Sequence, residues 1–268
     1  MRIKLICSDI DGTLLNINRE LSDKTITEIK RLSKIPFILI SSRMPKAMVH
    51  LQNQLDINHL PLIAYNGALI VDNGNIIETT EISPSITEGI SVFCKSTAIH
   101  LSLYHNDEWL VPEMDYWAKR EQKNTKVTPI VKPIEETLQT WRNEDKGAHK
   151  IMCMGEENEI DSLVDFIEKK YNSDLIGYRS KATYLEISHR NISKKTAIKT
   201  LLNNKYSEIV MKDVLAFGDN HNDIEMLKSV GLGVAVKNAK KEVLSITDEV
   251  TESNIDDGVA MFLENYFN

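Results

Sequence analysis

Short apolar runs alternate with amphipathic stretches from the start of the chain. Residues 4–7, 36–40 and 62–65 are mostly apolar and read as strands. Between the first two, residues 22–33 set Ile26, Ile29 and Leu32 on one helical face behind Ser22, a residue type suited to cap it. Pro45 then stands where a helix would begin, and Met44, Met48, Leu51 and Leu55 recur at helical spacing. This βαβαβ order predicts a parallel sheet covered by helices. Residues 69–77 add a hairpin, turned at Asp72-Asn73-Gly74-Asn75.

The rhythm changes between residues 83 and 186. A helix carrying Ile86, Ile90 and Phe93 leads to a hairpin, 99–104 and 109–112. A helix with Ile134, Leu138 and Trp141, a strand at 150–154 and a helix with Ile160, Leu163, Ile167 and Tyr171 follow. Strands at 175–178 and 183–187 close the segment, which holds all three tryptophans. Such a self-contained pattern predicts a second domain inserted into the first, giving 1–82 with 187–268 as the core and 83–186 as the insertion. After it the parallel rhythm returns: helix 193–202, strand 214–217, helix 223–228, strand 233–236 and a terminal helix carrying Val259, Phe262, Leu263 and Tyr266. The expected fold class is α/β, a doubly wound parallel sheet with an inserted α/β domain and a site at the strands' carboxyl ends.

Composition narrows the functional classes. At 268 residues the chain is longer than a typical single domain. A net charge of −7, with both signs interspersed, argues against a nucleic-acid stripe or a membrane-surface patch. It leaves an anionic small substrate open, because local cations can override the global field. No apolar run is long enough to span a bilayer, and Asp9 and Asp11 interrupt what would be a secretory leader. Cys7, Cys94 and Cys153 are isolated and odd in number, as expected of buried thiols in a reduced, cytoplasmic setting. Oligomeric state leaves no mark on the pattern.

The chemistry gathers at two strand ends. Asp9-Ile10-Asp11-Gly12-Thr13-Leu14 follows the first strand, and two carboxylates at a spacing of two on a strand share one side. Gly218-Asp219-Asn220-His221-Asn222-Asp223 follows a later strand, and Asp219 and Asp223 lie one helical turn apart. If the two strands are neighbours, these acids form one site for a hard divalent cation, with oxygen ligands of the kind Mg²⁺ takes. One aspartate can then attack phosphorus while a second moves protons. A calcium loop is excluded, because Leu14 stands where such loops need glycine and a strand precedes it. Ser41-Ser42-Arg43, after the second strand, offers hydroxyl and backbone N–H groups to a phosphate, and Lys194 beside Ser193 offers a fixed cation.

Taken in order, these four segments resemble the motifs of the haloacid dehalogenase superfamily, most closely its Cof-type phosphatases with an α/β cap inserted between the second and third motifs. Asn66-Gly67-Ala68 and Gly258-Val259-Ala260 are similar to that group too. The resemblance implies Asp9 as nucleophile and Asp11 as acid/base whose carbonyl also meets Mg²⁺. Ser41, Ser42, Lys194 and Asn222 would bind phosphate, and Asp219 and Asp223 would complete the metal set. Ser42, Lys195 and Lys237 stand where glycine is frequent in the family. The implied activity is Mg²⁺-dependent hydrolysis of a small phosphorylated metabolite, a sugar phosphate above all, through an aspartyl-phosphate. A phosphomutase or phosphotransferase using the same intermediate is the alternative, and a phosphate-binding regulator without turnover a more distant one. Asn66, Tyr104, His105, Trp109, Arg179 and Lys181 are candidates for substrate selection, all but the first in the cap.

Overall fold

The computed structural model describes residues 2–268, the side chain of Ser180 aside. The first segment carries β1 (Leu5–Ser8), α1 (Asp23–Arg31), β2 (Phe37–Ile40), α2 (Val49–Leu55), β3 (Leu62–Ala64), β4 (Leu69–Asp72) and β5 (Asn75–Thr79). The middle carries α3 (Pro84–Lys95), β6 (His100–His105), β7 (Glu108–Val111), α4 (Tyr116–Thr125), β8 (Ile130–Val131), α5 (Ile134–Glu144), β9 (Lys150–Met154), α6 (Glu157–Lys170), β10 (Leu175–Lys181) and β11 (Tyr184–His189). The last carries α7 (Lys194–Lys205), β12 (Val214–Gly218), α8 (Ile224–Ser229), β13 (Leu232–Val236), α9 (Lys241–Leu244), β14 (Glu249–Thr251) and α10 (Gly258–Tyr266).

Two compact units result, one made of the chain up to Glu78 and from Ser193 onward, the other running Thr79–Ile192. The breaks differ by a few residues from those the sequence suggests. Ile82 bridges Ala148 inside the second unit, and β11 runs on to His189, so a boundary at 187 would cut a paired strand.

The first unit is an α/β sheet in the order β14-β13-β12-β1-β2-β3-β4-β5. From β14 to β3 neighbouring strands run parallel, and the β3–β4 hairpin turns the direction. Every residue of β1, β2 and β12 is buried, which explains their continuous apolar runs: a parallel strand covered by helices has no solvent face. The helices pack in two groups, α1 with α2 and α10, and α7 with α8, as a doubly wound sheet requires. Sequence order moves outward from β1 through β2 to β3, then restarts at β12 on the other side of β1. The gap between β1 and β12 is therefore the topological switch point, where ligands of such sheets bind.

Local chemistry fixes the helix starts. Ser22 caps α1 by accepting from the Thr25 N–H at 3.1 Å. At α7 the Ser193 hydroxyl accepts from the Thr196 N–H at 3.2 Å while Thr196 Oγ1 accepts from the Ser193 N–H at 3.0 Å. The helix expected at Pro45 begins instead as a 3₁₀ turn, Pro45–Ala47, before α2. The second unit is a sheet in the order β10-β11-β9-β6-β7-β8. On one face Leu101, Leu103, Ile151, Cys153, Leu185 and Ile187 pack against residues of α3, α5 and α6, including Ile90, Trp141 and Leu163.

Candidate active site

The acids converge at the switch point. Asp9 follows β1, and its N–H donates to the Phe217 carbonyl of β12 at 3.0 Å. Lys194, the first residue of α7, is fully buried and donates to Asp9 Oδ1 at 2.5 Å and to Asp223 Oδ1 at 2.6 Å. The other oxygen of Asp223 accepts from the N–H groups of Asp219 and Asn220, both at 3.0 Å, closing the turn after β12. Asp219 Oδ1 accepts from the Thr13 hydroxyl at 3.1 Å. Gly12, at φ +84°, is what lets the two turns approach: a Cβ there would lie 2.5 Å from Asp219 Oδ2.

Asp9, Asp219 and Asp223 offer oxygens within 4.8 Å of one another. Burial pushes Asp9 well above the usual carboxylate range, an effect Lys194 opposes and Asp223 and Asp219 reinforce. Asp219 is pushed up to about 7, by burial first and by Asp223 second. Burial works against the charge on Lys194, but Asp223 and Asp9 outweigh it and keep the ammonium charged. Three acids thus share one cation, and the pocket is short of positive charge. A hard divalent cation fits that deficit and that all-oxygen donor set.

The Asp11 carboxylate is not in this group. It is held bidentately by Arg43, Nε to Oδ2 at 2.6 Å and Nη2 to Oδ1 at 2.7 Å, and by Arg19 Nη2 at 2.7 Å. Burial would raise its pKa, but Arg43 and then Arg19 bring it below the ordinary value. The two aspartates diverge because β1 ends at Ser8, so the alternation of a strand does not reach them. Instead the Leu14 and Leu15 N–H groups turn back onto the Ile10 carbonyl.

Ser41, buried at the end of β2, accepts from the Arg43 N–H at 3.2 Å, and Ser42 follows in the same loop. Asn222 donates to Asn66 Oδ1 at 3.0 Å. The remaining selection candidates all lie in the second unit. Tyr104 stacks on Trp109, whose indole N–H donates to Ser102 Oγ at 3.0 Å. Arg179 is tied to Asp161 and to the Ala182 carbonyl, and the Lys181 ammonium lies 5.1 Å from the Tyr184 ring centre. Strand alternation puts His105 on the opposite face from Tyr104, near Trp141. His105, Trp109 and Arg179 therefore have polar atoms engaged by their own unit.

Several supporting residues carried no sequence signal strong enough to single out. Arg43 lies in the Ser41-Ser42-Arg43 segment, whose pattern points to hydroxyl and backbone N–H groups and not to a guanidinium on Asp11, and Arg19 reaches Asp11 from a turn position at φ +61°. Asn238 donates to the Gly12 carbonyl at 2.8 Å and accepts from the Asn254 N–H at 2.9 Å. Asn254 in turn donates to the Leu15 carbonyl at 2.7 Å, so two asparagines brace the turn that carries Asp11.

A second cluster, Glu81, His105 and His149, also brings potential ligand atoms together. Hydrogen bonds assign it a different role. His149 Nδ1 accepts from the Asn106 N–H, so its proton belongs on Nε2, which donates to Thr79 Oγ1 at 2.9 Å; that hydroxyl donates on to Glu81. His105 Nδ1 donates to the Gly147 carbonyl at 2.9 Å and Nε2 accepts from Asn106. Neither ring aims a lone pair at Glu81, so these contacts form a structural network. Burial, helped by His105, lowers His149 to about 3. The unfolded chain binds a proton at this histidine below about pH 6.5 and the folded chain does not. The stabilising contribution is thus full above that value and is lost progressively as pH falls toward 3. Tryptophan fluorescence, which reports the second unit alone, should show the stability gap between wild type and His149→Gln shrinking from pH 7 to pH 4; a constant gap contradicts the assignment.

Comparison with known proteins follows the same lines. The family model of the haloacid dehalogenase-like hydrolases matches residues 6–263. The chain belongs to that family. A candidate phosphatase of Haemophilus influenzae is 34% identical over 100% of this chain and 99% of its own length. The 5-amino-6-(5-phospho-D-ribitylamino)uracil phosphatase of Bacillus subtilis is 29% identical over 98% of this chain and 96% of its own. A haloacid dehalogenase-like hydrolase from Bacteroides thetaiotaomicron has the same fold, with a TM-score of 0.89 over 99% of this chain and 100% of its own at 24% identity. Membership makes the chain a hydrolase, and none of its described helices is long and apolar enough to cross a membrane.

Proposed function

We propose that this haloacid dehalogenase-like phosphatase hydrolyses a small phosphorylated metabolite with Mg²⁺, through an aspartyl-phosphate on Asp9. The observation that carries the reading is the buried constellation at the β1–β12 switch point, where Lys194 bridges Asp9 and Asp223 beside Asp219. The side chains of Asp9, Asp219 and Asp223 would hold the ion, with the Asp11 carbonyl as the family motif implies. When bound, the ion supplies a Lewis acid that neutralises charge on the phosphoryl oxygens.

The chain's own groups divide the rest. Asp9 attacks phosphorus, the P–O bond to the leaving group breaks, and a proton from Asp11 goes to the departing oxygen. Asp11 then takes a proton from the water that attacks phosphorus and frees Asp9. In the resting arrangement both Asp11 oxygens are engaged by arginines, so the carboxylate must leave Arg43 and Arg19 to act as an acid. Lys194 offsets negative charge while the phosphoryl group is on Asp9. A phosphorylated sugar or sugar alcohol is the substrate class we favour, supported by the ribityl phosphate substrate in the name of the B. subtilis relative.

A panel of phosphorylated metabolites tests this. Inorganic phosphate should be released with Mg²⁺, activity should vanish on chelation, and Ca²⁺ should restore it poorly, because calcium takes more ligands at longer distances. Full activity in metal-free protein, or transfer to a second sugar without phosphate release, would overturn the reading.

A further inference from the structure

The corner after β3 touches three of the four motif-bearing segments. Tyr65, Asn66 and Gly67 have φ of +52°, +57° and +110°, three left-handed residues in a row. A bulky, fully buried tyrosine in that region is a conformational outlier, and such strain persists only where surroundings hold it. The surroundings are visible. The Tyr65 N–H donates to the Arg43 carbonyl at 3.1 Å and the Asn66 N–H to the Ser41 carbonyl at 2.8 Å, fixing the corner to the loop after β2. Gly67 lies against α7, where an added Cβ would stand 2.6 Å from the Ala197 Cβ and 3.0 Å from the Ser193 carbonyl oxygen. Asn66 Oδ1 accepts from Asn222 Nδ2 at 3.0 Å, in the loop after β12 that also supplies Asp219 and Asp223.

We infer that Asn66 is a positioning residue: its side chain locks Asn222, and with it the acidic loop after β12, in register with Ser41 and with Lys194 on α7. Only 2% of Asn66 is exposed, and its oxygen is committed to Asn222. That geometry suits a brace between loops better than a residue that reads the substrate's leaving group. The inference rests on the phosphatase reading above for the role of the loops it ties.

The backbone dictates the variant. Alanine at position 66 would add left-handed strain to the loss of the amide, whereas glycine accepts φ near +57° without steric strain. Asn66→Gly, Asn222→Ala and the double variant should be assayed with Mg²⁺ for kcat and KM on a substrate the wild type turns over, and for affinity toward orthovanadate by calorimetry. A neutral hydrogen bond of this kind corresponds to about three- to tenfold. Asn66→Gly should therefore lower kcat by about that factor with KM nearly unchanged, and weaken vanadate binding similarly. In the Asn222→Ala background the same substitution should have almost no further effect on either quantity. A melting temperature close to that of wild type separates this from general loosening. Additive effects of the two substitutions, or a wild-type-like Asn66→Gly, overturn the positioning role. If the wild type hydrolyses no phosphate ester, the phosphatase reading fails, and non-additivity in vanadate affinity alone decides for or against the brace.

Discussion

Asp9→Asn should abolish turnover while leaving the protein at least as stable as the wild type without metal. An amide cannot form the acyl-phosphate, and removing a nucleophile that acts as part of a unit costs about 10⁴-fold or more in kcat. Stability should move the other way. Burial pushes Asp9 upward and its neighbours Asp223 and Asp219 add to the strain, so its charge opposes folding in the cation-poor pocket. The amide oxygen can still accept from Lys194, which sits 2.5 Å from Asp9 Oδ1. Calorimetric melting in chelator, beside the phosphate-release assay, reads both effects. Wild-type-like turnover would remove Asp9 from the mechanism; a large fall in melting temperature would mean the Asp9–Lys194 pair is chiefly structural.

Lys194→Met should do the opposite, lowering stability as well as activity. Methionine fills much of the lysine volume, so packing is largely kept, but Asp9 and Asp223 lose the ammonium they share. Breaking a buried ion pair by removing one partner costs about 3–5 kcal/mol, because the remaining charge stays buried. For a domain of this size that is about 10 °C in melting temperature. Mg²⁺ should recover part of the loss, since the cation replaces the missing positive charge among the same acids. Differential scanning calorimetry with chelator and with Mg²⁺ measures both shifts. An unchanged melting temperature in chelator would show that Lys194 is not what neutralises the cluster.

How much of this was readable from sequence depended on the range of the interactions. The parallel sheet was legible because strands buried on both faces are continuous apolar runs, as in 36–40, and because helices such as α1 leave a periodic stripe behind a capping serine. The acids were legible for a similar reason: they stand directly after β1 and β12, and pairing between those strands brings them together. Elements that bury little of their surface were not. In α4 only Ala118 is buried, β8 has two residues, both exposed, and β14 has three at the sheet edge. The clasp on Asp11 was hidden because it joins residues from separate loops by side-chain geometry alone, and neither Arg19 nor Arg43 repeats at any period. The left-handed corner at Tyr65 was hidden for the reverse reason, since tyrosine is a residue that avoids that conformation.

The central claim is that the phosphoryl group passes through Asp9, and reductive trapping tests it most directly. Wild-type protein with Mg²⁺ and a turned-over substrate, quenched in the first turnover and treated with borohydride, should carry homoserine at position 9, read by peptide mass spectrometry. The modification should be absent in Asp9→Asn and in chelator. Substrate consumed in that same turnover with position 9 unmodified, or with the modification on another acid, would contradict the account.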